Sequence, residues 1–136
     1  MTYAVVVIRT LVGLLFLFIG LNYFLHFMDQ PKPPGGTDGS AFADILERTG
    51  YMRFVKILEV VGGAMLVSRL FVPLGIVILT PVTVNIICYE IFLLGTPGIG
   101  CLLGALLVFL VFGYYRFFGP LLTPFASPHN PIGLKD

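Results

Sequence analysis

The chain has 136 residues, 57% of them hydrophobic and 11% charged, with 16 glycines and a mean hydropathy of +0.99. That balance excludes an ordinary water-soluble domain. Eight basic against seven acidic residues leave a net charge of +1, and no Lys/Arg run marks a nucleic-acid or headgroup-binding patch, so nucleic acid is excluded as a partner.

A bilayer core about 30 Å thick takes about 20 helical residues, and four runs of the chain meet that need. They are Tyr3 to Phe27, Phe54 to Phe71, Val72 to Leu94 and Ile99 to Phe118. The reading is therefore all-α: an integral membrane four-helix bundle forming one transmembrane domain, with residues 119–136 as a tail. The first run is too long for a signal-peptide core and lacks a small-residue cleavage site, so it reads as a retained span.

Between the first two spans lies the one long loop, 28–53, which opens with the irregular Pro31-Lys32-Pro33-Pro34-Gly35-Gly36. Its second half is amphipathic. Phe42, Ile45 and Leu46 recur at helical spacing opposite Asp44, Glu47 and Arg48, which predicts a helix over Ala41 to Thr49 with Ser40 as N-cap and Gly50 as stop. Such a helix lies on the membrane surface or caps the bundle.

Further on, Pro73 suits a first helical turn, Pro81 removes a donor inside span three and leaves the Val77 carbonyl unpaired, and Thr96-Pro97-Gly98 forces a tight reversal. Gly119-Pro120 ends the last span. Gly13, Gly20, Gly62, Gly63, Gly100 and Gly104 read as close helix contacts.

Four spans place both termini on one side. Arg9, Arg69 and Arg116 then fall in the terminal half as interfacial anchors. In the opposite half gather Asn22 and His26 from span one, Lys56 and Glu59 from span two, and Asn85, Tyr89 and Glu90 from span three. Ionisable groups at membrane depth face the bundle interior or a wet cavity, so convergence is expected.

Each of these residues admits two readings. Lys56 and Glu59, three apart on one helix face, form either the floor of a ligand pocket or an internal ion pair. Asn22 and Asn85 serve as interhelical hydrogen-bond glue or bind a ligand carbonyl, and His26 relays protons or bonds the carbonyl of a lipophilic ligand, or is an inert interfacial side chain. Tyr89 reads as an interfacial belt residue that also borders the pocket. Glu90 is expected to meet loop water. Cys88 and Cys101 read as buried free thiols at depths that disfavour a disulfide, and neither has metal-ligand spacing.

The segments Gly20-Leu21-Asn22-Tyr23-Phe24-Leu25-His26-Phe27, Lys56-Ile57-Leu58-Glu59-Val60-Val61-Gly62-Gly63, Pro73-Leu74-Gly75 and Pro81 through Asn85-Ile86 together resemble the DoxX-like family across nearly the whole chain. The resemblance implies four spans and a polar cluster built on Asn22, His26, Lys56, Glu59 and Asn85. It also implies membership of a membrane redox system, since the family's namesake belongs to a thiosulfate:quinone oxidoreductase.

The expected function is a pocket, lined by Asn22, His26, Lys56, Glu59, Asn85 and Tyr89, that holds a quinone or another lipophilic molecule. No pattern in the chain identifies a catalytic reaction or a metal. Two alternatives stand beside it: a non-enzymatic assembly or interaction subunit of a membrane complex, and a transporter of small solutes or protons, for which no inverted repeat is present. Self-association is also open. Lys/Arg residues divide four and four between the two sides, and the expected location is a bacterial inner membrane with cytoplasmic termini.

Overall fold

The computed structural model describes residues 1–125, whose regular elements are all helical, with no strand among them. In chain order they form α1 (Thr2–Leu25), α2 (Asp38–Thr49), α3 (Tyr51–Ser68), α4 (Val72–Cys88), α5 (Ile99–Gly113) and the short α6 (Tyr115–Phe118). A π-helical turn, Tyr89–Leu94, continues α4, and a 3-10 turn, Gly119–Leu122, follows α6.

α1 contains the β-branched run Val5-Val6-Val7-Ile8, a weak helix former in water. Hydrocarbon reverses that preference, because a helix satisfies every internal backbone group within one segment. α1 and the continuous Val72–Leu94 segment are each long and apolar enough to cross a membrane. Ile99–Gly113 reaches that standard only together with Tyr115–Leu122, across a bend of 84°. α3 has 18 residues and carries Arg53, Lys56 and Glu59, so its composition alone does not mark it as a span.

α1 packs on α3, α3 on α4, α4 on α5, and α5 returns to α1. Glycines set the separations. A Cβ on Gly63 would stand 2.8 Å from the Gly13 carbonyl oxygen, and one on Gly62 would stand 2.6 Å from Leu79. The adjacent glycines therefore turn α3 toward α1 with one face and toward α4 with the next. Phe16, Leu66, Ile76, Leu79, Leu103 and Leu110 fill the space between the four helices and are fully buried. The outer surface is apolar too, with Val7, Leu11, Leu14 and Phe18 exposed along one side of α1, as suits a helix in contact with lipid.

Several expectations need correcting. The amphipathic helix starts three residues before Ala41 and is capped by Thr37, not Ser40: the Thr37 Oγ1 accepts from the Ser40 backbone N–H at 3.2 Å. Gly50, in the left-handed region at φ 80°, ends it as expected and hands the chain directly to α3. The last span does not run unbroken to Phe118. A Cβ on Gly113 would stand 2.8 Å from a Val5 methyl of α1, α5 stops there, and the chain turns across the helix ends at Tyr114. Tail residues 126–136 lie outside the described part.

α2 covers the end of the molecule formed by the last turn of α1 and the π-helical turn. Tyr23 donates its hydroxyl to Glu47 Oε1 at 2.8 Å, Tyr89 donates to the Gly39 carbonyl at 3.3 Å, and the Phe42 and Tyr89 rings lie 5.8 Å apart. Of the two positions open to this helix, its contacts are those of a cap.

Candidate functional site

Lys56 and Glu59 lie on the α3 face that points into the molecule. Glu59 precedes Gly62 by three residues and Gly63 by four, so it projects between α4 and α1, the partners of those glycines. Its side chain is 1% exposed and that of Lys56 12%. The Lys56 ammonium donates to both carboxylate oxygens at 3.1 Å. Gly20 makes room for this stretch: a Cβ there would stand 3.1 Å from the Lys56 carbonyl and 2.7 Å from Val60.

Thr83 joins this level from α4. Leu79 packs on Gly62, and one turn onward along α4 runs in the same direction as one turn backward along antiparallel α3, which brings Thr83 to the height of Glu59. Thr83 is 2% exposed and donates its hydroxyl to the Leu79 carbonyl at 2.8 Å. Apolar neighbours in the sequence gave no reason to single it out.

The remaining residues of the expected cluster have separate employments. Asn22 is buried, and its amide donates to the Met28 carbonyl at 3.1 Å while accepting from the Met28 N–H at 2.8 Å, which folds the chain back as α1 ends. His26 is the exposed C-cap of α1, in the left-handed region at φ 54°. Asn85 is exposed on the outer face of α4. Tyr89, half-buried, holds α2. Among the described residues no side-chain hydrogen bond joins Asn22, His26, Asn85 or Tyr89 to the Lys56–Glu59 pair.

Two charges behave differently from expectation. Glu90 does not meet loop water. It is buried, accepting from the Gly98 N–H at 3.0 Å and from the Gly100 N–H at 3.0 and 3.1 Å. A carboxylate thereby satisfies orphan donors at the start of α5 and complements its dipole. The missing side chains of Gly98 and Gly100 make the approach possible, since a Cβ at either would come 2.8 Å from a Glu90 oxygen.

Arg9 is not an interfacial anchor either. It is 5% exposed, its Nε has no hydrogen-bond partner among the described residues, and an outer nitrogen donates to the Tyr114 hydroxyl at a long 3.4 Å. Arg69 and Arg116 are exposed as expected. The cysteines are free but not buried, Cys88 being exposed and Cys101 half-buried.

Between α4 and α5 runs an almost wholly apolar groove of about 360 Å³, opened by Gly104 and bordered by Thr83, Val84, Ile87, Ala105 and Val108. Among the described residues no group of three or more His, Cys, Asp or Glu side chains is placed to hold a metal ion. Comparison of the chain with protein-family models, curated proteins and solved structures finds no match.

Proposed function

We propose that the chain is a DoxX-type integral membrane protein in which α1, α3, α4 and α5 each cross the bilayer, and that Lys56 and Glu59 form the polar end of a site for a quinone-class or similar lipophilic carbonyl compound. The observation that carries this reading is the buried ion pair itself. An ammonium has three N–H donors; two are directed at the Glu59 oxygens, and the third is left for an acceptor such as a quinone oxygen. Glu59 holds the ammonium in place. Thr83 lies buried at the same height, and α2 packs against α3.

His26 and Asn85, both at the surface, take no part in this version of the site, and Asn22 shapes the loop above it. The protein would serve a membrane redox system as a binder of its lipophilic carrier, in a bacterial inner membrane with cytoplasmic termini. That orientation rests on Arg53 and Lys56 belonging to α3, a proposed span, which leaves fewer basic residues in the loop on the side opposite the termini.

Quinone extracted from the protein purified out of native membranes tests the reading. Wild type is expected to retain it and the double variant Lys56→Met/Glu59→Met to lose it. The paired substitution removes both charges together, so neither is stranded. Equal quinone content in the two proteins defeats the proposal.

A further inference from the structure

Asn85 is the fourteenth residue of the 23-residue segment Val72–Leu94, about 20 Å from its start at 1.5 Å per residue. Its carboxamide is therefore well inside the hydrocarbon if α4 crosses the bilayer. It is exposed, and among the described residues it has no side-chain hydrogen bond. The residues at four-residue intervals on the same side, Val77 and Pro81, are exposed as well, as are Val84 and Cys88.

A carboxamide left bare against acyl chains forfeits the hydrogen bonds it makes in water, and lipid offers nothing in return. An apolar side chain at this position would have no such cost. The group that answers a carboxamide best is a second carboxamide, because each is both donor and acceptor. Two copies of one membrane protein share an orientation, so their two-fold axis lies along the membrane normal and identical residues face each other at identical depth. Asn85 of one copy then meets Asn85 of the other without any adjustment of register.

We propose that the Val77–Pro81–Asn85–Cys88 face of α4 is the interface of a homodimer, closed by reciprocal Asn85 hydrogen bonds near mid-membrane. The apolar stripe around the amide packs as small and β-branched residues do between parallel helices. This inference needs α4 to cross the membrane and is independent of the quinone reading, since Lys56 and Glu59 lie inside each copy.

Cys88, one turn beyond Asn85 and exposed on the same face, reports the contact. In a Cys101→Ala background, mild oxidation of native membranes with copper phenanthroline is expected to give a Cys88-linked dimer of twice the chain's mass. A single cysteine at Leu11, exposed on α1, in a Cys88→Ala/Cys101→Ala background is expected to give none. Asn85→Leu should weaken dimerisation about three- to eighteen-fold, the range spanned by interhelical hydrogen bonds in membranes, while Asn85→Gln preserves it.

A Cys88 product of any other mass means that a different protein covers the face and overturns the proposal. So does a dimer whose yield is the same with Asn85→Leu, or equal linking through Leu11→Cys. Loss of the dimer with Asn85→Leu while the variant still migrates as a folded monomer supports it.

Discussion

At the scale of single residues, the buried charges are where substitution separates fold from function. Lys56→Ala leaves the Glu59 carboxylate, 1% exposed, without its counter-charge, and stranding one member of a buried pair costs about 3–5 kcal/mol. The double variant Lys56→Met/Glu59→Met is expected to be close to wild type or more stable. Unfolding in mixed detergent micelles, followed by circular dichroism, measures both; a harmless Lys56→Ala would mean that water reaches Glu59. Glu90→Ala removes the acceptor of the Gly98 and Gly100 N–H groups and is expected to destabilise by about 1–3 kcal/mol per stranded donor, with Glu90→Gln milder by the same assay. The Lys56–Glu59 pair was legible in the sequence because three-residue spacing on a helix is a local rule. The role of Glu90 was not, because its partners are backbone donors brought up by a reversal eight residues away. Arg9 was misplaced for a related reason: sequence depth says how far along a helix a residue lies, whereas the face it presents depends on which neighbour, here Tyr114, packs there.

At the scale of elements, α2 has a hydrophobic pattern clear enough to be read directly, but its N-cap and its attachments depend on contacts across the fold. Ser40 and Thr37 are both good capping residues, and the Pro34 carbonyl, which accepts the Thr37 hydroxyl at 2.7 Å, helps select Thr37. The helix is held by Tyr23 and Tyr89, 66 positions apart in the chain. Each bond is worth about 0.5–1.5 kcal/mol, and the Tyr23–Glu47 bond is exposed, so it belongs at the lower end. Tyr23→Phe/Tyr89→Phe is expected to raise amide hydrogen exchange across residues 38–49 about fivefold to thirtyfold while exchange in α1 and α4 stays unchanged. Exchange that rises equally in α4 would show that α2 is part of the cooperative core and not a cap hung on it. If α2 closes over the proposed ligand site, the same variant exchanges quinone faster without losing it at equilibrium.

For the whole molecule, four apolar runs could be read from composition, but among the described residues α1 and Val72–Leu94 are the helices long and apolar enough to cross a bilayer by themselves, and how α3 and α5 would join them as spans could not be read. α3 is interrupted by three charged side chains, and α5 at fifteen residues is about 22 Å long, short of a 30 Å core. In the proposed four-span arrangement, internal pairing of Lys56 with Glu59 would lower the cost of placing α3 at depth. In that arrangement the 84° turn after Gly113 would let α6 lie along the interface, where exposed Tyr115, Arg116 and Phe117 would combine a cation with aromatic rings. The bilayer need only thin locally to meet α5. The Tyr89–Gly39 bond fixes the loop before α2 at the same end as the reversal after α4, while Thr2 and Thr123 fall at the other. In a Cys88→Ala/Cys101→Ala background, single cysteines at Gly35 and Thr96 are therefore expected to react with an impermeant maleimide from one side of sealed membranes, and cysteines at Thr2 and Thr123 from the other. Among the described residues no atom comes within 4 Å of a Cβ added at Gly35, so that substitution clashes with none of them. Labelling of Gly35→Cys and Thr123→Cys from the same side would mean that α3, α4 and α5 do not supply three crossings between them. The charged stretch of α3 would then have to be sought at the membrane surface.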